Sequence, residues 1–218
     1  MGSFWKAHGL KPFVRMAILG DDNFSIVSRT HVLRVFGSIE AMRVALVAWA
    51  TDLGYKLKVG VTDNVVKAEF LSSRYYPVGN GHAIGKKPGR VLAKIGYQLF
   101  TQGRQPAEYL RNLKGTLISY VPSSNHVPFL RVYIREMLRH LSSYDALLDA
   151  EAKHRQQGEL YEADETTWAA FEAVYGFGPG DEQVFADELK QHIARFGLTS
   201  VMVSHHVAEL FRIDFAGL

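Results

Sequence analysis

The chain of 218 residues contains no cysteine. That excludes disulfides, thiolate metal sites and a cysteine nucleophile, and it suits a reducing compartment. No run approaches the roughly 18 apolar residues that a membrane-spanning helix needs. The start, Met1-Gly2-Ser3-Phe4-Trp5-Lys6, lacks the apolar core of a signal peptide. Internal repeats and low-complexity tracts are also missing. What is there is an ordinary globular balance, 47% hydrophobic and 22% charged, enough for one large core or two small ones.

The formal net charge of +3 hides an asymmetry. Residues 1–120 hold 17 Lys and Arg against 7 Asp and Glu, and residues 121–218 hold 8 against 15, so the two parts carry +10 and −7. A basic half of that size suits a polyanion partner. It is equally compatible with a solvated basic face.

Arg15 to Leu19 and Phe24 to Val27 read as two short apolar strands. Between them lie Gly20, Asp21, Asp22 and Asn23, turn formers that tolerate unusual φ. The first element is therefore expected to be a β-hairpin with both aspartates at its tip. Ser38 is a good helix N-cap, Ile39, Met42, Leu46, Ala50 and Leu53 follow at helical spacing, and Gly54 supplies a stop. Tyr55 to Val61 alternates like a strand. Asn64 to Val78 reads as extended with a turn near Ser72-Ser73, and Gly79 to Arg90 as a glycine-rich basic loop. Helices are expected over Val91–Leu99, Pro106–Ser119, Pro128–Leu141, Glu165–Tyr175 and Asp181–Phe196, with an exposed loop around Gln156-Gln157-Gly158. The pattern does not place the tail from Leu198. The expected class is α+β: a small mixed piece over residues 1–90, then a helical piece over 91–218.

Two adjacent carboxylates on a tight hairpin form a hard-oxygen site. Mg²⁺ takes one or two carboxylates plus substrate phosphates, and two such ions can clamp both oxygens of a phosphoryl transfer. The apolar arms are expected to hold the tip inside a core. A Gly-Asp-Asp tripeptide also arises by chance, as a solvated turn.

The stretch MAILGDDNFSIV resembles motif C of viral RNA-dependent RNA polymerases. SIEAMRVALVAWATDLGYKLKV then resembles motif D of the palm, and KAEFLSSRYYPV resembles motif E, the primer grip. GKKPGRVLAKIGY and FEAVYGFGPGDEQVFADEL are similar to later segments of noda-like, tombus-like and narna-like positive-strand polymerases. The resemblance implies the C-terminal part of a right-hand palm followed by a helical thumb. It implies RNA-templated nucleotidyl transfer with Mg²⁺ or Mn²⁺, acting on nucleoside triphosphates, template and product in a replication complex of the host cytoplasm. By position, Asp21 and Asp22 would be metal ligands, Gly20 the turn residue and Asn23 their neighbour. Lys67 would be the motif D general acid, with Lys58 as competitor. Ser72, Ser73 and Arg74 would contact the growing strand.

The loop Gly79–Arg90 is not a Walker loop. Its glycines fall at 79 and 81 rather than 80, and Lys87 stands where Ser or Thr is needed. Lys86, Lys87, Arg90 and Lys94 instead make a basic strip suited to RNA backbone. His205-His206 with Glu209 is a weak metal candidate, because adjacent histidines do not share a helix face. Trp49 and Trp168 read as packing residues, and Asp181 and Asp187 as a solvated helix face.

Motifs A and B, which complete a palm active site, are missing: only 19 residues precede Gly20 and no copy follows. The resemblance therefore implies a second chain or region carrying them, and an isolated chain that is inactive and bares an apolar face. The rival readings are a non-catalytic RNA-binding module, which needs no metal, and a structural protein with an accidental Gly-Asp-Asp.

Overall fold

A computed structural model describes residues 1–96, 106–148 and 159–216. The chain is α+β, helix-rich with small antiparallel sheets, and divides into two compact units, Met1–Leu71 and Ser72–Leu218. The division falls earlier than the expected boundary near residue 90. Residues 72–90 pack within the second unit.

In the first unit, helix α1 (Gly2–Ala7) brings Phe4 and Trp5 into a small core with Leu10, Val14, Val32 and Met42. Strands β1 (Val14–Leu19) and β2 (Asp22–Val27) form the expected hairpin, with Leu19 opposite Asp22 across a two-residue turn. Gly20 has φ of 61° and Asp21 does not share the positive sign, so this is a type II′ turn, which places glycine first. Helix α2 (Arg29–Phe36) had no clear signal. Helix α3 (Ile39–Asp52) begins where the sequence predicts, with Ser38 Oγ accepting the Ala41 N–H at 2.9 Å. It buries Met42, Leu46 and Ala50, and Gly54, at φ 81°, turns the chain away.

Tyr55 to Val61 is not a strand. Leu57 and Val59 do pack on the small core, so the alternation is real. A ladder also needs a hydrogen-bonding neighbour, which sequence alternation cannot supply. A single 3₁₀ turn (Val65–Lys67) and strand β3 (Glu69–Phe70) follow. The turn comes at Leu71-Ser72, one residue early, and both have positive φ, 53° and 55°. That is a strained choice for non-glycine residues.

In the second unit, β4 (Ser73–Val78) and β5 (Gly81–Lys86) form an antiparallel hairpin around Gly79-Asn80. The expected loop is therefore mostly strand, and Pro88 opens helix α4 (Pro88–Leu92). The expected helix Val91–Leu99 is thus shifted, and its last three residues lie outside the described ones. Helices α5 (Pro106–Ser124), α6 (Leu130–His140), α7 (Glu165–Tyr175), α8 (Pro179–Phe196) and α9 (His205–Phe215) complete it. The helix α9 lies in the tail the pattern left open. The Gln156-Gln157-Gly158 loop falls outside the described residues. The core stacks Phe129 on Phe171 at 5.6 Å, with Phe177 and Phe185 beside them. Among the described residues no helix is long and apolar enough to cross a membrane.

Two devices fix this unit. Asp164 caps α7 through the Thr167 N–H at 2.9 Å and also accepts the Gly79 N–H of the hairpin turn at 2.6 Å. Thr167 Oγ1 donates to the Pro77 carbonyl at 2.5 Å. Glu182 accepts the Phe129 N–H at 2.8 Å and holds Arg131 through two oxygens, at 2.9 and 2.6 Å. These bonds fix Phe129 at its positive φ of 64°.

Candidate functional site

The candidate site begins at the β1–β2 turn. Asp21 lies in the turn and Asp22 is the first residue of β2, and both are exposed. Asn23 is half-buried; its Oδ1 accepts the Ser25 hydroxyl at 2.8 Å, and its amide nitrogen is buried without a hydrogen-bond partner among the described residues. The arms do not bury the tip. Val14 is the one buried residue of β1, while Met16, Ile18, Leu19 and Ile26 are 40, 58, 62 and 60% exposed. The expectation of a tip held inside a core is therefore corrected for this chain. The expectation of a bare apolar face agrees with the exposures.

The donor set suits a hard cation but is small. Two carboxylates at an exposed turn match what Mg²⁺ accepts when phosphates and water supply its other oxygens. Among the described residues no three His, Asp or Glu side chains converge on a common point. Lys67 closes the 3₁₀ turn and is exposed, on a different element from the aspartates.

The residues expected to contact RNA fall into two sets. Ser72 and Lys94 are exposed, and Lys86 and Arg90 are half-buried. Ser73, Arg74 and Lys87 are buried, with Arg74 at 7% and Lys87 at 3% exposure. The surface strip expected of Lys86, Lys87, Arg90 and Lys94 is thus corrected: Lys87 points inward. The cause is Asp214, near the end of α9, which the sequence reading missed. Its Oδ1 lies 4.0 Å from the Arg74 guanidinium and 3.9 Å from Lys87 Nζ, and accepts the Tyr175 hydroxyl at 2.8 Å. Its Oδ2 accepts the Gly89 N–H at 2.7 Å. Burial pushes the Asp214 carboxyl above its usual range, against the opposing pull of Tyr175, Lys87, Gly89 and Arg74. Burial likewise pushes the Tyr175 hydroxyl well up.

Gly89 explains how α9 comes so close. A Cβ there would stand 2.3 Å from the Leu210 carbonyl oxygen, so only glycine allows the two helices this approach. A lone Asp inside an apolar helix pattern was the signal for Asp214, but Arg74, Lys87 and Gly89 lie more than a hundred residues away and Tyr175 lies 39 away.

His126 is a second missed feature. It is fully buried between the rings of Tyr76 and Tyr161, at 5.8 and 6.0 Å, and neither ring nitrogen has a hydrogen bond of good geometry among the described residues. Burial pulls it down to about 4, with the Ile84 backbone opposing.

The weaker candidates resolve into structure. His206 is buried, with Nδ1 3.2 Å from Glu188, while Glu209 pairs with Arg212. Asp181 accepts the Gly178 N–H at 2.8 Å as part of a helix cap, and Asp187 pairs with Lys190 at 3.1 Å. Trp49 packs 5.7 Å from Phe4, and Trp168 lies under Arg131 at 5.5 Å. Comparisons with protein-family models, with curated proteins and with solved structures find no match.

Proposed function

We propose that this chain is the C-terminal palm and thumb part of an RNA-dependent RNA polymerase and contributes to RNA-templated nucleotidyl transfer. The single observation that carries the reading is the β1–β2 hairpin. It presents two carboxylates at a glycine turn on arms that are apolar yet bare. Strands buried on both faces read as continuous apolar runs, and Met16-Ala17-Ile18-Leu19 of β1 has that sequence without that burial.

In this reading Asp21 and Asp22 hold Mg²⁺ or Mn²⁺, and the ions supply charge stabilisation to the transferring phosphoryl group. Gly20 gives the turn its form, and Asn23 braces it. Lys67 is the candidate proton donor to the leaving pyrophosphate. Ser72, Lys86, Arg90 and Lys94 contact RNA phosphates, whereas Ser73, Arg74 and Lys87 support them from inside. Motifs A and B come from a second polypeptide or region that covers the hairpin, and the assembly works in a viral replication complex in the host cytoplasm.

The test is to purify the chain alone and with a polypeptide carrying motifs A and B, and to assay RNA-templated incorporation with Mg²⁺ and Mn²⁺. Incorporation is expected only in the mixture. Robust synthesis by the lone chain overturns the divided-site reading. RNA binding with no synthesis in any mixture favours a non-catalytic RNA-binding module.

A further inference from the structure

Arg90 stands apart from the other cations of the strip, because three groups fix its side chain. Its Nε donates to the Asp214 main-chain carbonyl at 3.1 Å, and Nη1 donates to Ser72 Oγ at 3.3 Å. The Phe215 ring lies beneath the guanidinium, 5.1 Å from its carbon. Two of these three groups come from the last turn of α9, 124 residues further along the chain. The Nη2 amino group has no hydrogen-bond partner among the described residues. A half-buried guanidinium held at Nε, at one Nη1 proton and along one face keeps its second Nη1 proton and the Nη2 protons as a fork of fixed orientation. That fork matches two phosphate oxygens.

We propose that the Phe215 ring and the Asp214 carbonyl form a platform that orients Arg90 toward an RNA phosphate, with Phe215 as a positioning residue. The proposal rests on the RNA-binding reading above. Asp214 serves it twice. Its carboxylate fixes α4 through the Gly89 N–H, one residue before Arg90, and its carbonyl takes Nε. The close approach at Gly89 locks the two helices, so the platform cannot drift from the arginine it supports. A flexible arginine loses side-chain entropy on gripping phosphate. One already held loses less, so the platform acts on affinity and leaves the count of ionic contacts unchanged.

The experiment is a double-mutant cycle on the full chain. Binding of a fluorescein-labelled single-stranded uridine oligonucleotide is followed by anisotropy over a KCl series, with thermal unfolding in parallel. Arg90→Ala should lower the salt slope by about one unit. Phe215→Leu keeps apolar volume but removes the ring face. It should weaken binding roughly two- to five-fold at every salt concentration, with the slope unchanged, as expected for loss of a cation–ring contact. In the Arg90→Ala background Phe215→Leu should have no further effect, and Phe215→Tyr should behave as wild type. Additive single effects overturn the proposal, as does a Phe215→Leu chain that loses thermal stability but binds RNA normally. A wild-type chain that binds no RNA removes the RNA reading itself, which separates that failure from a failure of the platform.

Discussion

The two units solve the problem of a core very differently. Among the described residues, twelve of the eighteen exposed large apolar side chains lie in Met1–Leu71, about a third of the chain. They include Ile18, Leu19, Ile26, Val44 and Tyr55. The second unit buries Phe129, Phe171, Phe185 and Leu210 at 0% exposure. A small unit cannot bury all its apolar surface against itself. An isolated hairpin is at best marginal, and an exposed apolar edge invites another chain. The second unit has the make-up of a self-supporting domain, and the first has that of a surface meant to be covered.

The largest effect that would sharpen this contrast is chemical. On the polymerase proposal, Asp21→Asn in the assembly with a chain carrying motifs A and B should lower nucleotide incorporation by at least an order of magnitude, because a proposed metal ligand is lost. The fold should stay intact, since Asp21 is exposed at a turn. Activity above a tenth of wild type, measured by primer extension, would remove the hairpin from the active site.

Truncation to alanine should act differently in the two units. Phe171→Ala should cost about 3–5 kcal/mol, because it empties a ring site in a closed core. Leu19→Ala should change stability by less than about 0.5 kcal/mol, because the side chain is 62% exposed. Leu19→Ala should instead weaken capture by the proposed partner chain. Chemical denaturation of both variants checks the contrast, and similar losses in the two would erase it.

Acid should also act on the second unit. His126 is pulled from an ordinary 6.5 to about 4 by burial. As pH falls from about 6.5 to 4, the unfolded chain takes up a proton that the folded chain refuses. Stability present above pH 6.5 is then lost through that window, by about 3 kcal/mol. His126→Gln should flatten this stretch of the stability curve. Asp164 acts lower. Bonds from Thr166, and from the Thr167 and Gly79 N–H groups, hold its carboxyl far below the usual range. Its contribution is present above the ordinary carboxylate range and fades only in stronger acid. A His126→Gln chain whose curve still falls between pH 6.5 and 4 would break the assignment.

Local signals were legible, and distant partners were not. Gly20 between two apolar arms marked the hairpin turn, and Ser38 with Gly54 marked both ends of α3. Glu165–Tyr175 was bounded correctly because Asp164 caps it and Gly176, at φ 74°, ends it. The Tyr55–Val61 pattern predicts a strand because alternation reports burial, whereas a ladder depends on a neighbour. The glycines of Gly79–Arg90 read as loop signals, and Gly79 does turn the chain at φ 53°, but Gly85 leaves no room for a Cβ beside Tyr76 and Val127 and Gly89 none beside Leu210. At the candidate site, the aspartates and the outer cations could be named from sequence. The inward turn of Arg74 and Lys87 could not, because Asp214 reaches them from the far end of the chain.

The smallest effect divides the cations themselves. A lysine that neutralises an RNA phosphate releases counterions, and its loss lowers the salt slope of binding by about one unit. A lysine whose charge is directed at a buried carboxylate releases none. Lys94 is exposed on the turn after α4 and belongs to the first kind. Lys87 is 3% exposed, with its ammonium 3.9 Å from Asp214, and belongs to the second. Lys94→Ala should therefore lower the slope by about one unit and leave thermal stability unchanged. Lys87→Met, close in volume and uncharged, should leave the slope alone and lower stability, because Asp214 loses a cation that helps to keep it ionised. Titration of RNA across a salt series, with thermal unfolding of the same samples, reads both quantities at once. If Lys87→Met lowers the slope as Lys94→Ala does, Lys87 reaches the RNA and the division between inner and outer cations is lost. Equal stability losses for the two variants would have the same consequence, because an exposed lysine on a turn has no buried carboxylate to support.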